Sequence, residues 1–489
     1  MSQQTTTLVH RQAAEDTAFR VETLGTEIVP ASQRHGKPRE LFFVWFAAVL
    51  TYTGVTIGQL FTSLGLNVWE SFLAAIICSI SFALLGYASC AGPKGGTVTL
   101  TLSKASFGVL GNKVPALFSW LSAVGWEAVT MVLTVYAMLS LAGYIGLPSS
   151  GIGPTIVALI LTLILTYSVP VLGHATVITM QRILSYILAA CTIILIFAIL
   201  PKVHWGFSVP VKDMAAHGSW PTFLMALSIG LISTFYGWVN FAADYSRYLP
   251  AQTSAGKIVS ATFWGGGIAS LIMMGVGILL GTFVNPQAFA SNPVGAIAHA
   301  VPAWAAIPFL IVVVLGDIAA NYLNAYSSGM SFLSLGVPMK RYGAVLLDGA
   351  LCTLIAIYPL FISPQFMNFF SNFLSLNIIV IGPWATIFLL HHFLIRGRYS
   401  ENGLASNQPH SDYWYQGGIH WEAIVSFIIG IVATILCVNS QLYVSPLSNQ
   451  LFGGADLSAY AAPIVTGMVY YLLASRKIRK QANLLKSAA

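Results

Sequence analysis

Charged residues are scarce in this sequence. Asp, Glu, Lys and Arg make up only 8% of its 489 residues, against roughly 25% in an average soluble protein. So few charges cannot cover a water-facing surface, which excludes a soluble enzyme and a disordered chain. The five cysteines are scattered, with no CxxC pair and no Cys/His cluster, which excludes a disulfide-framed secreted domain and a structural zinc site. With 56% apolar residues, the chain is expected to be a polytopic membrane protein.

Long apolar runs follow one another from Leu41 onward. A helix needs about 20 mostly apolar residues to cross ~30 Å of hydrocarbon, and twelve runs approach or exceed that length. The runs do not alternate with period two, so they predict helices and not the strands of a barrel. The predicted spans, numbered 1 to 12 in chain order, are 41–65, 69–92, 112–146, 153–171, 173–201, 221–247, 257–285, 301–335, 341–363, 366–395, 420–443 and 457–475.

The basic residues predict the orientation of these spans. Of the 22 Lys and Arg residues, 19 fall in segments that are cytoplasmic if the N-terminus is inside; Lys202 and Lys212 fall outside, and Arg182 lies within span 5. Cytoplasmic loops of membrane proteins carry such an excess of basic residues. We therefore expect a multi-pass protein of the inner (plasma) membrane with both termini cytoplasmic, and its net charge of +7 does not indicate a nucleic-acid partner.

Small and β-branched residues interrupt two of the spans. Span 1 contains TYTGVTIG at 51–58, and span 6 contains STFYGW at 233–238. Breaks at matching places in two halves of a chain are typical of secondary transporters with inverted repeats and a binding site at the membrane midplane. The alternative is that Gly and Thr, which are common in membrane helices, only soften these two spans.

Three carboxylates lie near the middle of apolar runs: Glu127 in span 3, Asp317 in span 8 and Asp348 in span 9. Charged groups at that depth are costly and are generally functional. Spans 3 and 8 would be equivalent in a five-plus-five repeat, and Glu127 and Asp317 lie at similar depths within them. Both are therefore candidates to bind a transported proton, whereas Asp348 is given a structural role.

Span 8 also carries a polar stripe. Asp317, Asn321, Asn324 and Ser328 follow the spacing i, i+4, i+7, i+11, which places all four on one helix face. In an otherwise apolar helix such a face points to protein or water, and it offers amide groups and one acid to a polar ligand. Hydrogen bonding that only fastens span 8 to its neighbours is the alternative.

Two aromatic residues are candidates for a ligand platform. Trp126 shares a face of span 3 with Thr130, and Phe235 lies at the break in span 6. Two aromatic rings with amides at the edge suit a flat, heteroaromatic solute, although a buried Trp is more often part of the core. At the end of span 6, Asp244 and Arg247 are three residues apart and predict a structural or gating ion pair.

Several of these segments resemble those of one transporter family. RHGKP at 34–38, GWE at 125–127, ADYSRYLP at 243–250 and NAYSSG at 324–329 are similar to motifs of the nucleobase–cation symporter family, in its purine–cytosine permease branch. The similarity covers about residues 30–400, and the last two motifs are the most specific.

The resemblance implies a LeuT-type fold of two inverted five-helix repeats followed by two further helices. It implies that the solute lies between Trp126 and Phe235, with Thr130, Asn321 and Asn324 at its edge. Residues 1–40 are then a cytoplasmic tail, 41–202 the first repeat, 203–398 the second repeat with its preceding external loop, 399–475 helices 11 and 12, and 476–489 a cytoplasmic tail.

The departures from the family pattern concern the cargo and the driving ion. Thr130 stands where relatives often carry an amide, so the preferred base is expected to differ from that of close relatives. Sodium-coupled members carry hydroxyls on span 8 where this chain has Ala319 and Ala320. A hard cation needs several oxygen ligands, so we expect a co-transported proton, bound by Asp317 or Glu127, in place of sodium.

The sequence therefore predicts a monomeric permease that imports a purine or cytosine-like base with a proton and uses no cofactor or metal. Uptake of allantoin, hydantoin, thiamine or pyridoxine, coupled to protons or sodium, is the alternative within this class. An intramembrane enzyme is the alternative from another class, but Val314 replaces the first Gly of a GxGD motif and neither HExxH nor GxSxG is present.

Overall fold

Helices form nearly all the regular structure in the computed structural model, which describes residues 16–362, 365–440 and 442–487. Within those residues, nine single helices and one bent pair are long and apolar enough to cross a membrane. Spans 1 to 10 are Pro38–Val49 with Tyr52–Ser63, Val68–Gly95, Lys113–Tyr144, Ile152–Leu172, His174–Lys202, Ser219–Phe241, Ala255–Gly281, Ala303–Leu333, Arg341–Ile362 and Phe366–Leu394.

Two further helices occupy the places of the last predicted spans. Span 11 is the apolar helix Trp421–Ile435, which is short for a full crossing, and span 12 is the long helix Ser458–Ser487. The expected count of twelve crossings is therefore compatible with the structure, although among the described residues nine single helices and one bent pair meet the length and hydropathy expected of a span. Short connecting helices are Thr99–Leu102, Lys104–Phe107, Pro286–Ser291, Pro293–Ala300, Glu401–Ala405 and Pro446–Leu451.

Most span boundaries agree with the sequence to within a few residues, because each apolar run ends where polar residues meet water. Span 6 was expected to reach residue 247 but ends at Phe241, since the following residues form irregular turns. Span 12 runs past residue 475, because its basic continuation is also helical. Parts of the predicted terminal tails (1–15 and 488–489), residue 363 of span 9 and residue 441 of span 11 lie outside the described residues.

Span 1 is broken in its middle. Its two halves are bent by 58°, and the break falls at Leu50 and Thr51, at the start of the predicted 51–58 segment. Thr51 is extended (φ −116°, ψ 160°) and begins the second half. The glycines of that segment lie inside the second half, where a Cβ on Gly58 would overlap the carbonyl oxygen of Met274 in span 7. They are needed for close helix packing and not for the bend.

Span 6 is irregular at the expected place. Its α-helical part gives way to a π-helical turn at Ile232–Tyr236, and a 3₁₀ turn follows at Val239–Phe241. Trp238, between the two turns, leaves the helical region with φ −121°. Broken spans 1 and 6 stand five apart in the chain, the arrangement expected of an inverted repeat. Spans 3 and 8 pack against each other along much of their length, which brings their polar residues together.

Candidate functional site

A cavity lies where the two broken spans meet. Its lining comes from spans 1, 2, 3, 6, 7 and 8, and about 40 Å³ of it is open to the centre of a water molecule. That volume holds a few waters. It is too small for a flat ring, which can enter only when the walls move slightly apart. The lining residues with ring or polar side chains include Thr53, Trp126, Thr130, Trp238, Ser270 and Asn324.

Two indole side chains border this cavity. Trp126 from span 3 is one of them, as expected, and Trp238 from span 6 is the other. Phe235 is placed elsewhere: it is buried against Tyr236, with ring centroids 4.9 Å apart, and is not among the lining residues. The irregular backbone sets this facing: across the π-helical turn and the non-helical Trp238, the residues that line the cavity are Ser233, Thr234, Gly237 and Trp238, and Phe235 is not among them.

The edge of the cavity carries linked polar groups. The Thr130 hydroxyl donates to Asn321 Oδ1 at 2.6 Å, and Asn324 Nδ2 donates to the same oxygen at 3.1 Å. Asn321 Nδ2 donates to the Glu127 backbone oxygen at 3.2 Å. Asn321 therefore lies behind the lining and positions Thr130 and Asn324, which face the cavity. This differs from the expectation that Asn321 contacts the ligand directly.

Three buried polar atoms at the lining have no protein hydrogen-bond partner among the described residues: Trp126 Nε1, Asn324 Oδ1 and Thr53 Oγ1. Leaving such a group unpaired costs about 1–3 kcal/mol. Donors and acceptors of this kind are suited to pair with the polar edge of a ligand. The cavity therefore combines ring faces with unpaired hydrogen-bonding groups, which is the chemistry of a site for a flat, polar-edged molecule.

Asp317 sits at the break in span 1. Its Oδ1 accepts the backbone N–H of Tyr52 at 3.1 Å, while Oδ2 has no partner in the described part of the chain. Tyr52 begins the second half of span 1, so the carboxyl group lies at the positive end of that half-helix. Gly316 permits this approach, because a Cβ there would overlap the Leu50 carbonyl oxygen. Asp317 thus joins spans 1 and 8 one helical turn from Asn321.

Glu127 points away from the cavity. Its Oε2 accepts the Tyr167 hydroxyl of span 4 at 2.5 Å, and the residue is fully buried. Asp348 lies nearby and interacts with it electrostatically. Asp348 accepts hydrogen bonds from Ser328 (2.6 Å) and Trp120 (2.5 Å). These contacts tie spans 3, 4, 8 and 9 together, in keeping with the structural role expected of Asp348.

The expected ion pair between Asp244 and Arg247 is not the contact that Arg247 makes. Asp244 Oδ1 accepts the backbone N–H and the hydroxyl of Thr99, at 2.8 and 2.7 Å. Arg247 instead pairs with Glu22 at 2.6 Å. The residues after Phe241 form irregular turns and not a continuous helix, and Asp244 and Arg247 interact electrostatically without forming a direct ion pair.

Sequence reasoning missed several residues of the site. Trp238 and Thr53 lie inside the two segments that the sequence predicts to be breaks. The sequence did not show which side chains of these segments face the cavity. Ser270 is one of three hydroxyl residues in span 7, with Ser260 and Thr262, and Glu22, the partner of Arg247, belongs to the polar N-terminal tail. Neither carries a local signal, because each acquires its role only through contacts with distant parts of the chain.

Comparison with known proteins agrees with this geometry. A family model described as "Permease for cytosine/purines, uracil, thiamine, allantoin" matches residues 28–460. The chain belongs to this permease family. The permease is 30% identical to the putative purine-cytosine permease YxlA of Bacillus subtilis, over 95% of its own length and 98% of that relative. It is 26% identical to the purine-cytosine permease fcyB of Emericella nidulans, over 91% and 86% of the two chains.

A solved structure shares the fold of the permease. Mhp1, a nucleobase-cation-symport-1 family transporter in a closed conformation with bromovinylhydantoin bound, superposes with a TM-score of 0.73 at 19% identity, over 94% of the permease and 96% of Mhp1. These findings confirm the expected family and the all-α, LeuT-type fold class. The protein is a multi-pass membrane transporter and not an enzyme. The domain boundaries, the driving ion and the roles of individual site residues stay predictions.

Proposed function

We propose that this permease imports a purine or cytosine-like base by alternating access, with the central cavity as its binding site. The observation that carries the proposal is a cavity between the broken spans 1 and 6 that combines two indole side chains with unpaired polar atoms from spans 1, 3 and 8. Relatives named as purine-cytosine permeases support this class of cargo.

The aromatic and amide residues of the site have separate roles in this proposal. Trp126 and Trp238 contact the faces of the ring, and Trp238 takes the place that the sequence predicted for Phe235. Thr130 and Asn324 pair with the ring edge, while Asn321 holds both in position through its Oδ1. An edge group left unpaired by the wrong ring is costly, so these contacts select the cargo more strongly than stacking does.

Asp317 is our first candidate for the driving proton. As an anion it accepts the Tyr52 N–H at the positive end of a half-helix. Protonation removes that charge and weakens the link between spans 1 and 8, which couples proton binding to movement of the broken span. Glu127 is the second candidate, since it is fully buried and its Oε1 has no partner among the described residues. Ala319 and Ala320 offer no side-chain oxygen to a hard cation on span 8, which favours a proton over sodium.

The proposal places the permease in the inner (plasma) membrane as a monomer, with both termini in the cytoplasm. The distribution of Lys and Arg residues supports this orientation. Residues of the N-terminal segment, the end of span 6 and the start of span 9 then lie on the cytoplasmic side.

Counterflow tests the cargo. Proteoliposomes loaded with unlabelled cytosine or a purine should take up the radiolabelled base, because exchange through one site needs no net ion movement. Allantoin, hydantoin, thiamine and pyridoxine serve as competitors. We expect a base to displace the label most strongly. Displacement by a vitamin or by allantoin, with no response to any base, would reject the proposed cargo.

Replacement of Asp317 tests the proton site. Asp317→Asn keeps an oxygen that can accept the Tyr52 N–H but cannot carry the proton. We expect this variant to retain counterflow and to lose accumulation against a gradient. Asp213→Asn removes an exposed acid in the loop before span 6 and is the matched control. Full accumulation by Asp317→Asn would remove Asp317 from the coupling mechanism.

A further inference from the structure

A second cavity lies at the end of span 3 that is far from Lys113. Its volume is about 570 Å³, which falls within the ~300–1,000 Å³ of small-molecule sites. It is here called the outer cavity, because this end of span 3 is external in the proposed orientation. Span 3 lines it with Tyr136, Ser140 and Tyr144, and the segment before span 8 lines it with Asn292, Ala298 and His299.

The outer cavity shares one face of span 3 with the central cavity. Span 3 is a continuous helix, and Ser140 and Tyr144 follow Trp126 by about four and five helical turns, so the three side chains lie along one face. A helix rises about 1.5 Å per residue, which places Ser140 about 15 Å beyond Thr130 of the central cavity. One small ring cannot contact both residues at once, so the two cavities are separate places for a ligand.

The two tyrosine rings of the outer cavity are held in place by their hydroxyls. Tyr144 Oη donates to Ala298 O at 2.8 Å, and Tyr136 Oη donates to Pro359 O at 3.3 Å. These bonds connect span 3 to the short helix Pro293–Ala300 and to the end of span 9. Because the hydroxyls are already paired, the rings offer mainly their faces, and they lose little further freedom when a ligand binds.

The polar groups beside these rings suit a neutral ligand. Asn292 Oδ1 accepts Gly295 N at 3.0 Å, which leaves the Nδ2 amine of Asn292 as a donor. The Ser140 hydroxyl donates to Tyr136 O at 2.9 Å, and its oxygen can still accept. No Asp, Glu, Lys or Arg is among the described residues that line the outer cavity. The lining therefore lacks the counter-charge that an ionic ligand needs when it leaves water.

Access distinguishes the outer cavity from the central one. Tyr136, Ser140 and Tyr144 are partly exposed, whereas Trp126 and Thr130 are buried. A ligand can therefore reach the outer cavity without the wall movement that the central cavity requires.

We propose that the outer cavity is a second binding site for the cargo, where a neutral, flat, polar-edged base stacks on Tyr136 and Tyr144 before the central cavity opens. The inference rests on the proposed function for the chemical class of the cargo. The outer site is expected to be the weaker of the two, because its walls leave part of the ligand in water.

Protection of a thiol tests the outer site without any transport measurement. After the two partly exposed native cysteines are replaced (Cys191→Ser and Cys437→Ser), a Ser140→Cys reporter is labelled with a hydrophilic maleimide in the purified protein. Adenine and cytosine are the probes. A base at about nine times its Kd for the outer site should slow labelling about tenfold, because only the unoccupied fraction reacts.

Three further variants assign the protection to the outer site. Trp238→Ala weakens the central site by about tenfold or more, but it should leave the half-protecting base concentration at position 140 within about twofold, because the two sites are far apart. Tyr144→Ala should raise that concentration about tenfold, since it removes a stacking ring. Tyr186→Ala removes an exposed tyrosine of span 5 and is the matched control, which should leave the concentration unchanged.

A second reporter controls for a general effect of the base. Ser291→Cys lies on an exposed residue outside the lining and should be labelled at the same rate with and without base. Three results would overturn the outer site: no protection at position 140, equal protection at position 291, or a half-protecting concentration that rises with Trp238→Ala as much as the central Kd does. Each of them leaves the proposed function intact if the wild type shows base counterflow. Protection at position 140 without counterflow would reject transport of the base but not the outer site.

Discussion

At the scale of single residues, the chemistry of the cavity depends on which polar atoms are already paired. Asn321 uses its oxygen on Thr130 and Asn324, and its nitrogen on the Glu127 backbone. The amide oxygen of Asn324 is left for a ligand. The polar stripe of span 8 could be predicted from spacing alone, but the division between positioning and contact could not, because it depends on partners in span 3.

Trp238 and Phe235 provide a direct test of the ring-binding assignment. Trp238→Ala should weaken binding of the radiolabelled base by about tenfold or more, because stacking of a base on an aromatic side chain contributes ~1–3 kcal/mol. Phe235→Ala removes a buried ring outside the lining and should lower the thermal midpoint while leaving affinity within about threefold. Saturation binding on both purified variants measures this. An equal loss of affinity in the two would contradict the placement of Phe235.

At the scale of elements, close contact between spans 1 and 7 sets the geometry of the broken helix. A Cβ on Gly277 would overlap the Val55 carbonyl oxygen, and Gly58 faces Met274 in the same way. The second half of span 1 is therefore held against span 7 while its first residue is held by Asp317. The sequence indicated that the segment 51–58 interrupts span 1. It did not show that the glycines of this segment serve packing, because their role depends on contacts with span 7.

Gly277→Ala and Gly153→Ala test this packing. Gly277 is buried in span 7, whereas Gly153 begins span 4 with nothing near its missing Cβ. Ala favours a helix over Gly by about 1 kcal/mol, so Gly153→Ala should be neutral or slightly stabilising. Gly277→Ala must displace backbone atoms and should destabilise by about 1–3 kcal/mol. The thermal midpoints of the purified variants measure both. A Gly277→Ala midpoint at or above that of wild type would contradict the close contact.

At the scale of the whole molecule, the order and limits of the spans could be predicted because every crossing of the bilayer needs a helix of about 20 mostly apolar residues. The family resemblance added the inverted repeat. The ion pairs of Glu22 were beyond prediction: Glu22 lies in a polar tail, and its partners Arg247 and Arg341 are more than 200 residues away in sequence. Contacts of that kind also fasten the loops between spans to one another.

A buried lysine joins two of these loops and gives the folded protein a pH dependence. Lys104 lies between spans 2 and 3, and its Nζ donates to Leu404 O at 3.2 Å and to Asn407 Oδ1 at 2.7 Å. Burial lowers the pKa of Lys104 from 10.5 to about 8. Between those two values the unfolded chain binds more protons than the folded chain, so this residue makes the fold more stable as pH rises.

Lys104→Met removes that dependence. From pH 8 to 10, the thermal midpoint of the wild type should rise relative to that of Lys104→Met, with a total contribution of at most about 3 kcal/mol. Lys113→Met, which removes an exposed lysine at the start of span 3, is the matched control and should give a curve parallel to the wild type. A wild-type curve that falls relative to Lys104→Met in this range would contradict the lowered pKa of the buried lysine.

The most direct measurement of the central claim is accumulation of a radiolabelled purine or cytosine in proteoliposomes under imposed ion gradients. An inward proton gradient without sodium should drive uptake above equilibrium, and a proton-conducting uncoupler should abolish it. An inward sodium gradient at equal pH should give no more uptake than no gradient. Accumulation driven by sodium alone would contradict proton coupling, and equilibration without accumulation under every gradient would contradict active transport itself.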